Sequence, residues 1–149
     1  VNSRRQRQMC IRDRIIGALA AVGVVAYNGY IGAARENSTK SIHNGVAKYI
    51  ANEAAKCALD ENAEIMGGSI TCTSDTDTIL TLLTGGTVLQ DKDPYDGGLS
   101  VVAAAPAKAR GNVVVTNADD GTTQQILLTT CWDKDCAEDA LTTTVQVFE

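Results

Sequence analysis

From Ile15 to about residue 63 the chain reads as one uninterrupted helix, and no other feature restricts its fold as much. No proline occurs before Pro94. Apolar or small residues recur at Tyr27, Ile31, Ala34, Ile42, Val46, Tyr49, Ile50, Ala54 and Cys57, in steps of three and four. One longer gap passes through the polar stretch "RENSTKS". The front half, "IIGALAAVGVVAY", is apolar on every side and belongs in lipid or among other helices, whereas the second half is amphipathic and needs cover on one face only. A helix of about 50 residues is about 70 Å long at 1.5 Å per residue. A chain of 149 residues cannot cover such a rod, so the front half, residues 15–30, is expected to project. Gly67 and Gly68 in "IMGGS" are read as the helix stop, near residue 63. The apolar run Ile15 to Tyr27 falls short of the ~20 residues that a bilayer crossing takes. It also lacks the cleavage site and break of a signal peptide.

Beyond the helix, residues 64–149 change their grammar. "SDTDTILTLLTGG" offers Ser74 or Asp75 as an N-cap, a short apolar helix and a Gly-Gly stop. "LSVVAAA", "NVVVTN", "QQILLTTC" and "TTTVQVFE" are β-rich, and "NADDGT" is a hairpin turn between the second and third. Helix first and sheet afterwards predicts an α+β fold, a long N-terminal helix on a four-stranded antiparallel sheet. With 44% hydrophobic but only 4% aromatic residues, Ala, Val, Ile and Leu must fill the core.

Charge and cysteines narrow the setting. Residues 1–14 carry Arg4, Arg5, Arg7, Arg12 and Arg14 against Asp13, a local +4; since the whole chain carries −5, the other 135 residues carry −9. An acidic body of this kind is not expected to bind nucleic acid in general, because phosphate binding needs Lys and Arg. Cys10 aside, Cys57, Cys72, Cys131 and Cys136 form an even set with no CxxC spacing and a single His43 in the chain. Two disulfides and an oxidising compartment are expected rather than a zinc site. Four cysteines allow three pairings.

"IIGALAAVGVVAYNGYIGAAREN" resembles the helix of a type IV pilin, the subunit of bacterial surface filaments. The family's run is close to I-I-G-I-L-A-A-I-A-I-P-A-Y with a second Tyr three residues on. Ile15, Ile16, Gly17, Leu19, Ala20, Ala21, Ala26, Tyr27 and Tyr30 match it in register, and Val22, Val24 and Val25 complete the apolar face. The family's helix-bending proline falls at Val25. The resemblance implies an inner-membrane anchor with its head in the periplasm before assembly. It then implies a helical homopolymer on the cell surface, built by pilus assembly machinery and serving adhesion, motility or DNA uptake. Cys131 and Cys136, which bracket "WDKD", resemble the family's C-terminal disulfide loop, and Cys57 would then pair with Cys72. Gly17, Ala18, Ala20, Ala21 and Gly23 would allow close helix approach. The alternatives are a type II secretion pseudopilin and, in a different class, a secreted binding or adhesion domain on a helical stalk.

Ahead of Ile15 the family pattern is missing: its N-terminal Phe falls at Arg4 and its Glu at Gln8. "QMCIRDR" instead resembles an in-frame translation of the transposase end sequence used to build DNA sequencing libraries, so residues 1–14 are read as a non-native segment. A basic juxtamembrane stretch on a peripheral helix explains the charge but not the loss of register.

The remaining candidates are bland. Asp91, Asp93, Asp96 and Gly97 in "DKDPYDGG" approach a calcium loop, but the third carboxylate comes one residue late and Pro94 intervenes, so a structural turn is expected and no metal. His43 is read as a solvated residue on the polar side of the helix, and Trp132 as a surface packing residue. With no HExxH, GxSxG or phosphate loop, no catalytic or cofactor-binding residue is assigned and no enzyme is expected. Independent reads upstream of Ile15 are expected to encode a short basic leader ending in Gly, then an aromatic or Met, with Glu four residues further on. Recovering the same Arg-rich stretch in those reads would sink the artefact idea and weaken the pilin resemblance.

Overall fold

The computed structural model describes residues 2–103, 110–133, 136 and 140–148, with side chains described from residue 9 onward. Three expected features run partly outside them: the end of "LSVVAAA" at 104–105, residues 134–135 of "WDKD", and Glu149. The elements in chain order are α1 (Asn2–Leu59), β1 (Glu64–Ile65), β2 (Ile70–Thr71), α2 (Thr76–Thr84), β3 (Val101–Ala103), β4 (Val113–Asn117), β5 (Gln124–Cys131) and β6 (Ala140–Phe148). The chain is α+β and divides into two units, Val1–Ala34 and Arg35–Glu149.

Within the second unit, α1 packs on the sheet through a stripe that alternates by four and three: Thr39, His43, Val46, Ile50 and Glu53 are all buried, with Cys57 half-buried after them. The polar gap read in "RENSTKS" is therefore a continuation of the stripe in polar residues. Thr39 is satisfied by donating its hydroxyl to the Arg35 carbonyl at 2.9 Å. His43 is a correction to the sequence reading: it is fully buried, not solvated. Its Nδ1 lies 2.9 Å from the Thr130 hydroxyl on β5 and its Nε2 lies 2.9 Å from the Thr143 hydroxyl on β6. Buried polar groups persist where they are paired, and a helical position facing Thr130 and Thr143 favours an imidazole over an alkyl group.

α1 ends at Leu59, four residues earlier than the sequence suggested and without help from glycine. Asp60 turns the chain: its carboxylate accepts the Asn62 N–H at 2.9 Å and its carbonyl accepts the Ala63 N–H at 3.0 Å, an Asx turn. Gly67 and Gly68 instead form the tip of the β1–β2 hairpin, where Met66, Gly67 and Gly68 all take positive φ. Glu53 holds that tip from the helix. Its Oε2 accepts the Met66 N–H at 2.7 Å while Oε1 pairs with Lys56 at 2.5 Å.

The four-stranded sheet runs β3-β4-β5-β6. It is mixed rather than antiparallel, which corrects the expected topology: β3 and β4 are parallel, with Val101 beside Val113, while β4–β5 and β5–β6 are antiparallel. The cause lies at the entry to β4. The Val113 N–H donates to the Ser100 carbonyl at 2.7 Å and the Asn112 side-chain amide to the Leu99 carbonyl at 3.0 Å. Both strands therefore set out from the same place and run in the same direction. Alternation puts Ile126, Leu128 and Thr130 of β5 and Val145 and Val147 of β6 on the buried side with Val46 and Ile50. α2 closes the core with Ile79 and Leu83, one helical turn apart, and is capped by Asp75, whose carboxylate accepts the Thr78 N–H at 3.2 Å and hydroxyl at 2.6 Å. Those bonds hold the exposed Asp75 carboxyl below its usual range.

Burial lowers the pKa of His43 from its ordinary 6.5. An imidazolium has two donors and no acceptor, so a hydroxyl that donates to the neutral ring must turn away. As pH falls below 6.5 the unfolded chain takes up this proton before the folded one, so the contribution is complete above 6.5 and is lost progressively toward the depressed folded value. Urea unfolding at a series of pH values is expected to show this loss in the parent and a flatter profile in His43→Gln. That variant should be about 1–3 kcal/mol less stable at pH 8, because a buried threonine hydroxyl loses its partner. Identical pH profiles would refute the assignment.

Candidate functional site

Two surfaces stand out, one in each unit. In Val1–Ala34 the apolar face has no cover. Ile15, Ile16, Leu19, Val22, Val24, Val25, Tyr27 and Tyr30 are each between 55% and 74% exposed, and Gly17, Ala20 and Ala21 are exposed with them. Nothing approaches within 4 Å of where a Cβ would stand on Gly17 or Gly23. The helix is unbroken at Val25, where a proline would have bent it. By length and composition the helix over Met9–Leu59 contains a stretch able to cross a membrane. This modifies the expectation drawn from the Ile15–Tyr27 run: the helix carries Tyr30 and Ile31 beyond that run with no charged residue between. Cys10 is exposed and free.

The second unit is stapled twice. Cys57 in the last turn of α1 is bridged to Cys72 just after β2, with Cα atoms 5.5 Å apart. Cys131 at the end of β5 is bridged to Cys136, with Cα atoms 5.4 Å apart. The first bridge and the Glu53 contact together fasten the β1–β2 hairpin to the helix end.

The second surface was not anticipated from sequence. Residues 91–100 fold into a tight hairpin in which the Asp93 N–H donates to the Gly98 carbonyl and the Ser100 N–H to the Asp91 carbonyl, at 2.9 and 2.8 Å. The carboxylates expected to be turn formers act so here. Asp93 Oδ1 accepts the Tyr95 N–H and Asp96 Oδ1 accepts the Gly98 N–H, both at 2.7 Å. Asp93 is buried, and burial, reinforced by the nearby Asp96 charge, raises its carboxyl above the usual range. Among the described residues no group of three or more His, Cys, Asp or Glu is placed to hold a metal ion.

This hairpin presents Tyr95 to two cations, and a third cation lies on Trp132. The Arg110 guanidinium lies 4.1 Å from the Tyr95 ring centre and the Arg35 guanidinium 5.7 Å from it. The Lys40 ammonium lies 4.1 Å from the Trp132 ring centre. Arg110 Nε donates to the Trp132 carbonyl at 2.7 Å and the Tyr95 hydroxyl donates to the same oxygen at 3.4 Å. Trp132 is half-buried, so its reading as a surface packing residue acquires a specific partner in Lys40. Cation–aromatic contacts at exposed sites are worth about 0.5–1 kcal/mol each, enough to orient a guanidinium without using up its N–H groups. The only sequence signal for this cluster was the presence of Tyr95 and Trp132 in a chain with few aromatics.

Gly111 lets the cluster close. At its positive φ, an added Cβ would collide with the Asp93 carboxylate and the Tyr95 ring. Gly111→Ala is expected to lower stability in urea by about 2 kcal/mol or more. It should also free Tyr95, seen as a loss of its near-ultraviolet dichroism. An unchanged midpoint would show that the loop yields easily.

No family model, no curated protein and no solved structure matches this chain.

Proposed function

We propose that this chain is the structural subunit of a bacterial surface filament of the type IV pilin kind. The observation that carries the proposal is the exposure of every apolar face of residues 15–30, next to a unit that is packed and twice bridged. A continuous apolar surface of this kind is costly in water and marks a membrane or protein contact. Before assembly the helix anchors the chain in the inner membrane with residues 35–149 in the periplasm, the compartment that the disulfides favour. On assembly the helices of many copies pack together, close approach being allowed by Gly17, Ala20, Ala21 and Gly23, and the sheet unit faces outward at the cell surface. Assembly machinery is then a partner, and adhesion, motility or DNA uptake the use of the filament. A pseudopilin of type II secretion shares the helix and its membrane insertion and is the nearest alternative.

The test is electron microscopy of the full chain, preceded by whatever segment independent reads return upstream of Ile15, after extraction from membranes and removal of detergent. Thin helical filaments are expected from the parent. Val22→Arg should abolish them, because a charge in a packed apolar bundle has no partner. A parent chain that stays monomeric, or a Val22→Arg chain that still polymerises, would defeat the reading.

A further inference from the structure

Two groups of like charge in the sheet-bearing unit lie near the two ends of its part of α1. At one end Arg35 sits against Tyr95 with Arg110 on the same ring. Lys40 is already paired with Glu36 at 2.7 Å, and Asp93 is buried with its carboxyl raised. Arg35 and Arg110 are therefore the unpaired cations on the Tyr95 ring: among the described residues neither makes an ion pair, and both are exposed, as are Lys48 and Lys92. At the other end, just past Leu59, Asp60, Glu61 and Glu64 are exposed and also make no ion pair among the described residues. Their position is unfavourable in an isolated chain. The C-terminus of a helix carries partial negative charge, and the one basic residue of the last turn, Lys56, is taken by Glu53.

The two groups cannot satisfy each other within one chain. Arg35 and Leu59 bound about 36 Å of helix at 1.5 Å per residue. A second copy can satisfy both. Two arginines held by one tyrosine ring and the Trp132 carbonyl present guanidinium N–H groups suited to carboxylates. We propose that Arg35 and Arg110 of one copy dock onto the Asp60, Glu61 and Glu64 carboxylates of the next copy. Because different surfaces meet, the contact is heterologous and propagates instead of closing. It rests on the filament reading only for its biological setting and supplies that reading with a direction and a register.

The test is self-association of the full chain in neutral detergent micelles at low salt, measured by detergent-matched sedimentation. One variant carries Arg35→Glu with Arg110→Glu, the other Glu61→Lys with Glu64→Lys. Each alone is expected to associate roughly tenfold or more weakly than the parent, and an equimolar mixture to regain association, since each reversed end complements the other chain. Unchanged thermal melting checks folding; if the first variant melts early, Arg35→Gln with Arg110→Gln replaces it for the loss of association, and recovery is then read from Arg110→Glu mixed with the lysine variant. A parent that is monomeric at low salt, either variant associating like the parent, or a mixture that does not recover overturns the proposal. So does loss of binding to anionic phospholipid vesicles in the arginine variant with no recovery in the mixture, which would assign the cluster to a lipid surface. The two readings fail separately. Filaments that survive both charge reversals remove this contact and leave the filament. Absence of filaments with the charge-dependent association intact removes the filament and leaves the contact.

Discussion

Three of the five residues that α1 buries against the sheet unit are polar, and the rest of that unit depends on how they are held. Thr39 is satisfied within the helix. His43 reaches two strands at once, and Glu53 reaches the backbone of the β1–β2 tip. Apolar contacts tolerate sliding, since Val46 and Ile50 would find apolar neighbours one turn up or down. Hydrogen bonds do not: displacing the helix by a turn would leave Thr130 and the Met66 N–H buried without partners, at about 1–3 kcal/mol each. The apolar members supply most of the free energy, with truncation of a side chain such as Ile50 costing about 2–5 kcal/mol. The polar members choose the register in which that free energy is gained. The Cys57–Cys72 bridge then closes the far end of the same helix.

This division explains what could be read from the chain and what could not. Local signals place α2 and its Asp75 cap, because an N-cap, two apolar residues one turn apart and a Gly-Gly stop lie within a dozen positions. The four β-rich segments announce themselves in the same way. The buried histidine does not, because its partners are 87 and 100 residues away and apolar periodicity counts only apolar residues. The polar gap and the solvated His43 were one error: a 4-3-4-3 stripe continued through side chains that a hydrophobicity rule treats as surface. The helix end was missed because an aspartate and its Asx turn stopped the helix before the conspicuous glycines. The parallel pairing of β3 with β4 escaped for a related reason. Antiparallel pairing is the default for neighbouring strands, and the deciding bonds, Val113 to Ser100 and Asn112 to Leu99, involve residues outside any turn motif. The cluster around Tyr95 joins α1, the 91–100 hairpin, Arg110 and Trp132, which only the tertiary fold brings together.

The exposed helix and the charged surfaces then bear on one question, namely what would give the proposed assembly of such chains its specificity. Moving an apolar helix from lipid into a bundle of like helices exchanges one apolar environment for another, so the hydrophobic effect drives it out of water but does little to choose its neighbours. Small residues permit close approach without dictating which copy approaches or in which direction. Residues 15–30 offer no charged group and two tyrosines with which to be selective. Direction and spacing in such an assembly would therefore come from the sheet-bearing unit, whose surface is polar and acidic, and where a misplaced neighbour would bring carboxylate against carboxylate. On a body of net −9, the two arginines beside Tyr95 are, in the proposed contact, the groups that would make one approach attractive where most of the surface repels. In the proposed filament the helix would supply most of the affinity and the sheet-bearing unit the order.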